Sequence, residues 1–170
     1  MRASSVLAVL LLLLSVGAAS AQVTVRVPDT TRLQVAETTR VPVTVEGLVG
    51  EDVFSWQFTL RYDPAVLDTV RVHTSGTLAD GRRVVVNQQE AGRLQGAVAG
   101  TTPLTPGGLL LSLEVRGRAA GTSALAWTAF QFNEGRPPAE THDGRMIVRV
   151  GDSTETVADT SRADSEQGDL

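Results

Sequence analysis

Large apolar residues alternate strictly with polar ones over nine residues of this chain, and this leaves few folds open to it. The stretch FSWQFTLRY, residues 54–62, has the period of two that a strand with one buried face requires. Its predicted inward residues are Phe54, Trp56, Phe58, Leu60 and Tyr62. Similar stretches recur between glycines and prolines, and no window shows sustained helical periodicity. The sequence therefore predicts an all-β sandwich of about nine strands. The other predicted strands are residues 23–27, 40–47, 67–72, 83–87, 93–100, 109–117, 123–132 and 145–150.

The alternating stretch ends in a predicted structural corner. Asp63 can accept hydrogen bonds from the backbone of a turn, and Pro64 fixes φ near −65° at the start of that turn. About one turn later, Leu67 can enter the core before the next strand begins. Tyr62 continues the inward phase, and its hydroxyl needs a partner if it is buried.

The first 21 residues have the pattern of a signal peptide. Arg2 precedes an apolar run at residues 6–16, and the small residues Ala19 and Ala21 follow. The run is too short to cross roughly 30 Å of hydrocarbon. We expect cleavage after Ala21 and a secreted product, located in the extracellular space, at the cell surface or in the periplasm. The chain contains no cysteine, so neither a disulfide nor a lipoprotein anchor is expected.

The net charge is confined to the end of the chain. Residues 22–150, the predicted domain, contain 13 arginines and 13 acidic residues, whereas residues 151–170 contain six acidic residues and Arg162. A neutral domain argues against a nucleic-acid partner and against electrostatic binding to anionic lipid. The last segment is poor in apolar residues, and its composition predicts a disordered acidic tail.

Several of these stretches resemble the cohesin family, the receptor half of the cohesin–dockerin pairs that assemble cellulosomes. The stretch VPVTVEGLVGEDVFSWQFTLRYDPAVLDTVRV is similar to the opening third of a cohesin module, and its YDPAVL block is fairly specific. The later GGLLLSLEVRGRAAGTSALAWTAFQFNEG and the closing DGRMIVRV also resemble the family pattern. The resemblance covers residues 23–150. It implies a nine-stranded jelly-roll sandwich without catalytic activity.

The resemblance also implies a binding surface and a partner. Cohesins contact dockerins through a flat sheet face, which here includes the outward residues Ser55, Gln57, Thr59 and Arg61. Type I cohesins tend to carry Asn and Asp at the positions that match Ser55 and Gln57. A neutral Gln57 loses charge-assisted hydrogen bonds worth about 1.5–3 kcal/mol. The implied partner is a dockerin-bearing exported protein of a polysaccharide-degrading assembly, and any calcium belongs to that dockerin.

Individual residues bear on the alternative functions, which are metal binding, catalysis, carbohydrate binding and adhesion. His73 and His142 stand alone, with THDG at residues 141–144 expected as a polar turn, so the sequence predicts no metal site and no set of catalytic groups. A carbohydrate-binding module is the main alternative, and it needs an exposed aromatic ring such as Trp127 or Trp56. Trp127 is predicted to share a face with Leu125 and Ala129, opposite Phe130 and Phe132. An adhesion module of the cell surface is a third interpretation.

Overall fold

The computed structural model describes residues 22–104 and 107–151, with the backbone alone at Thr69. The predicted signal peptide and residues 152–170 of the predicted tail lie outside the described residues. The described part of the chain contains eleven β-strands and no helix. The strands are β1 (Val23–Arg26), β2 (Thr31–Gln34), β3 (Thr38–Glu46), β4 (Ser55–Arg61), β5 (Leu67–His73), β6 (Arg83–Asn87), β7 (Arg93–Ala99), β8 (Gly108–Gly117), β9 (Gly121–Phe132), β10 (Ala139–His142) and β11 (Gly144–Arg149).

The strands form two sheets, as the alternation predicts. One sheet has five strands in the order β10–β1–β3–β8–β5, and the other has six in the order β2–β11–β9–β4–β7–β6. All pairs are antiparallel except β1 with β10 and β2 with β11, which are parallel. Each predicted strand is present, with bounds that differ by no more than two residues. The prediction of an all-β sandwich is confirmed.

Two short strands, β2 and β10, are additions to the predicted set. Each has four residues, and each pairs in parallel with a strand that is more than 100 residues away in sequence. In β2 only Leu33 is buried, so alternation has too few residues to be visible. The expectation that residues 141–144 form a turn is wrong in part, because Thr141 and His142 end β10.

The core lies between the inward sides of the two sheets. It is built mainly from valine and leucine, whose branched side chains suit a pleated, half-buried surface. One continuous buried cluster includes Trp56 and Leu60 of β4 together with Leu113 and Val115 of β8. Phe54 departs from its predicted inward position: it precedes β4 and is 39% exposed.

The corner after β4 is held by short-range hydrogen bonds. Asp63 Oδ1 accepts from the Ala65 amide at 2.8 Å, and the Asp63 carbonyl accepts from the Leu67 amide at 2.9 Å. The buried hydroxyl of Ser123 accepts from the Asp63 amide at 2.8 Å. Leu67 is buried as β5 begins, and Tyr62 packs against the core half-buried. The corner thus fixes where β4 ends and which way its last residues point.

Candidate functional site

Four neighbouring strands of the six-stranded sheet, β9, β4, β7 and β6, present an open surface on the side away from the core. We call the whole outward side of this sheet the outer face, and its two middle rows the central patch. One row of the central patch consists of Gln131, Gln57, Ala97 and Val85. The next row consists of Ala129, Thr59, Gln95 and Asn87. Residues directly opposite each other in register share a side of the sheet, so both rows point outward.

The central patch is a shallow depression of about 510 Å³. Its floor is low because Ala97 and Ala129 have small side chains, while Gln57, Gln95 and Gln131 stand around them. Val85 adds an apolar contact and is 55% exposed. An amide side chain both donates and accepts hydrogen bonds. The central patch can therefore take up a neutral, polar surface with some apolar content.

The four residues predicted for partner binding lie along β4 on this face. Gln57 and Arg61 are exposed, and Ser55 is half-buried. Thr59 points the same way but is only 8% exposed, between Gln95 on β7 and Ala129 on β9. Its side chain offers a partner little area compared with Gln57.

The rest of the central patch could not be found from the sequence. Alternation places Gln95, Ala97, Val85 and Gln131 on the outward sides of their own strands. The sequence does not say, however, that β7 and β9 flank β4. The strand order is a property of the long-range pairing alone.

Asn133, another residue that sequence reasoning missed, holds the start of β4. Its Oδ1 accepts from the amides of Phe54 and Ser55 at 3.0 and 3.2 Å, and its Nδ2 donates to the carbonyls of Asp52 and Arg136 at 3.0 Å each. Asn133 has φ of 42°, in the left-handed region that asparagine tolerates better than most residues. It fixes the end of the outer face at which Ser55 lies.

The opposite end of β4 carries a charged cluster. Arg61 pairs directly with Arg93 across β4 and β7, and Glu90 from the turn before β7 contacts both guanidinium groups. The Arg93 Nη1 to Glu90 Oε2 distance is 3.0 Å, and the Arg61 Nη2 to Glu90 Oε1 distance is 3.6 Å. One carboxylate thus serves two cations.

The aromatic residues within the strands of this sheet lie on its core side. Trp56 is 1% exposed, and Trp127 is half-buried against the core, with its indole N–H donating to the His142 carbonyl at 3.2 Å. The prediction that Trp127 and Phe130 face opposite ways is wrong. A β-bulge between β4 and β9 inserts one residue, Thr128, so that Trp127 and Phe130 point to the same side and their rings meet edge to face. Phe58 and Phe130 border the depression, and the register places both on the core side of the sheet, opposite to Gln57 and Thr59.

Arg82 directly precedes β6, the edge strand of this sheet, and stabilises the loops beside it. Its guanidinium donates to the carbonyls of Leu78, Phe54 and Thr102 at 3.0, 3.2 and 2.7 Å. It also lies 5.9 Å from the centre of the Trp56 ring. Burial lowers the pKa of the Arg82 guanidinium from its usual value. Arg82 is a structural cation that joins three loops.

The described residues hold no group of three or more histidine, acidic or cysteine side chains placed to bind a metal ion. His73 lies 2.9 Å from Glu114 and His142 lies 3.5 Å from Glu140, both pairs belonging to the five-stranded sheet. A helix that could cross a membrane is likewise not found in the described part of the chain.

Comparison with protein families gives a match to a model described as the cohesin domain, over residues 23–109. This range is about half of the 170 residues and includes β1 to β7. It covers the predicted partner-binding residues and the corner. A comparison with curated protein sequences gives no match.

Several solved structures have the same fold. A non-cellulosomal cohesin from the hyperthermophilic archaeon Archaeoglobus fulgidus is 20% identical, with a TM-score of 0.64 over 75% of this chain and 91% of that chain. A type I cohesin–dockerin complex from Clostridium thermocellum contains a chain that is 14% identical, with a TM-score of 0.65 over 76% of this chain and 94% of that chain. A cohesin module from a family 33 glycoside hydrolase of Clostridium perfringens is 16% identical, with a TM-score of 0.62 over 76% and 97%. At these identities the likeness is one of fold.

Proposed function

The chain belongs to the cohesin domain family, and we propose that it is an exported, non-catalytic module that binds a dockerin-type module of another protein through its outer face. The central patch around Gln57 is the contact surface in this proposal. Its place of action is the assembly of polysaccharide-degrading proteins outside the cell.

The observation that carries the proposal is the open, shallow central patch. It is formed by rigid strands, and interfaces with a preformed surface bind without a large ordering cost. Amide, alanine and valine side chains make a centre without charges, and Arg61 and Arg93 lie at its border. A neutral centre with charged residues at the rim is the usual anatomy of a protein–protein interface.

The position of the tryptophans supports a protein partner over a carbohydrate. Sugar-binding sandwiches need aromatic rings exposed on a flat surface, and both Trp56 and Trp127 pack on the core side. Of the large apolar residues that are exposed in the described part of the chain, only Val85 lines the central patch. A valine offers no flat ring on which a sugar could stack.

Export is proposed from the sequence of residues 1–21, whose pattern is that of a signal peptide. The domain contains no cysteine, so it is compatible with an oxidising compartment but gains no disulfide there.

The proposal is tested by capturing partners from the exported proteins of the source organism. The purified protein is immobilised and incubated once with calcium and once with EDTA. Dockerins fold around calcium, so a dockerin-type partner should be retained with calcium and lost with EDTA. If no protein is retained in either condition, the result contradicts the proposed function, and the likeness to cohesins is then one of fold alone.

A matched pair of variants locates the surface. Ala97→Arg places a long cation in the central patch, and we expect at least a tenfold loss of affinity because an unpaired charge is buried at the interface. Ala120→Arg makes the same change at an exposed position of the loop before β9 and should leave binding unchanged. Equal effects of both variants would place the contact elsewhere.

A further inference from the structure

The two sheets divide the charges of the domain unequally. The strands of the five-stranded sheet contain four arginines and four acidic residues. The strands of the six-stranded sheet contain six arginines and not one acidic residue. These six are Arg32, Arg61, Arg83, Arg93, Arg145 and Arg149. They alternate with buried or small residues, which places them on the outer face.

Most of these arginines lack an acidic partner within the domain. Arg61 and Arg93 share Glu90, which comes from a turn and not from a strand. Among the described residues, no carboxylate lies within ion-pair distance of Arg32, Arg83 or Arg149. On the five-stranded sheet, by contrast, Glu114 contacts both Arg40 and His73.

The net charge of the domain is zero, but this does not cancel the local excess of arginine on the outer face. At physiological salt, charges interact over about 8 Å, which is less than the separation between the outward sides of two sheets packed about 10 Å apart. The acidic residues of the other sheet are therefore largely screened from the outer face, whereas Glu90 of the turn before β7 contacts Arg61 and Arg93 directly. An approaching acidic group experiences the nearest arginines.

The chain itself carries such acidic groups directly after the domain. Residues 152–170, which lie outside the described residues, contain six acidic residues and Arg162, a net charge of −5. Gly151, the last described residue, lies against the side chain of Gln34, whose Oε1 is 2.7 Å from a Cβ built on this glycine. Gln34 is paired with Arg149, so the chain leaves the domain beside the arginines of the outer face.

The segment is long enough to reach the cluster at the end of β4. Val148 of β11 pairs with Gly121 at the start of β9, so Gly151 lies three residues beyond that start, and Arg61 pairs with Ala126 five residues along β9 in the other direction. This is roughly 27 Å along the strand and about 10 Å across two strand spacings. Eight or nine extended residues cover that distance at about 3.3–3.6 Å each.

We infer that the acidic segment, residues 152–170, docks on the arginines of the outer face of its own domain and covers the central patch. Because the segment is covalently attached, its effective concentration at the face is in the millimolar range, so weak ion pairs suffice. In consequence the segment competes with any partner of the central patch, a consequence that rests on the proposed function. The docking itself requires no partner.

The absence of cysteine allows a direct test on the full chain. Ser165→Cys introduces a single thiol for a nitroxide label, and amide relaxation is then measured by NMR at low and high salt. We expect enhanced relaxation at Gln57, Gln95 and Ala97 at low salt, with loss of the effect at about 0.5 M salt, where the screening length is only a few ångströms. Residues of the five-stranded sheet should be unaffected at both salt concentrations.

Charge-removing pairs give the matched control. Arg61→Gln with Arg83→Gln removes two cations from the outer face and should reduce the docked fraction about two- to tenfold. Arg26→Gln with Arg71→Gln removes two exposed cations from the five-stranded sheet and should leave it unchanged. No relaxation effect at low salt, or an effect that salt or the outer-face pair does not alter, would overturn the inference. Either result is independent of whether a dockerin binds.

Discussion

The ring of Phe58 on β4 lies over Gly96, its direct partner on β7. A Cβ built on Gly96 would be 2.5 Å from Cε1 of that ring, a distance that Cβ atoms do not adopt. Gly96 is therefore the residue that lets the Phe58 ring lie flat between the strands. The ring in turn meets Trp127 edge to face, with centroids 5.8 Å apart. The packing of aromatic rings on the core side of the six-stranded sheet therefore depends on the absence of a side chain at Gly96.

Gly96→Ala should destabilise the protein by about 1–3 kcal/mol, because the added methyl group forces the Phe58 ring out of its place. Urea unfolding followed by tryptophan fluorescence measures the change. In a Phe58→Leu background the same substitution should cost clearly less, since the ring is gone. Equal costs in both backgrounds would show that the ring is not the cause.

Asn133→Ala should cost about 2–4 kcal/mol, because the substitution removes four hydrogen bonds to two segments and places alanine at a positive φ. Asn133→Asp keeps the acceptor for the Phe54 and Ser55 amides and should lose about half as much. Hydrogen exchange at the Ser55 amide gives the local readout. An alanine variant with unchanged exchange at Ser55 would contradict this role.

Arg82→Lys should destabilise the fold by about 1–3 kcal/mol although the charge is kept. A lysine cannot reproduce the fork that donates to the Leu78, Phe54 and Thr102 carbonyls. Arg83→Lys, one residue further on, has an exposed side chain and should change the free energy of unfolding by less than about 0.5 kcal/mol. The two variants are compared by thermal unfolding. Similar stabilities would show that the hydrogen bonds from Arg82 to the three carbonyls do not stabilise the fold.

Ser123→Ala should cost about 1–3 kcal/mol, because the Asp63 amide loses its acceptor, the buried Ser123 hydroxyl, at a partly buried position. We expect the corner after β4 to open locally, so exchange at the Asp63 amide should accelerate more than exchange in β3. Ser123→Thr retains the hydroxyl and should restore protection if the extra methyl group is accommodated. Uniform acceleration throughout the protein would indicate a general loss of stability instead.

The sequence predicts the strands because each long strand has one buried side, and alternation records that side directly. It fails where alternation is interrupted. The bulge at Thr128 reverses the phase of β9, so Trp127 and Ala129 were assigned to one side although the register separates them. A bulge leaves no mark in a run of alanine, tryptophan and threonine, since each can occupy either side of a sheet.

The candidate site was predictable only in part for a related reason. Gln57 and Arg61 follow from the alternation of β4 alone. Gln95, Ala97 and Gln131 join them because β7 and β9 pair with β4 across 32 to 76 residues of chain, and such pairing is decided by the whole core.

The parallel edge pairs have a mechanical consequence. The first strands of the domain, β1 and β2, pair in parallel with β10 and β11, the last strands. When the two ends of the domain are pulled apart, parallel strands slide along each other, so the hydrogen bonds of β2 and β11 are loaded together in shear. Antiparallel terminal strands would instead be unzipped one bond at a time. A force that pulls the two ends of the domain apart is therefore resisted by the terminal strand pairs. Strands β4, β7 and β6 of the central patch lie on the other side of the sheet and are not loaded directly.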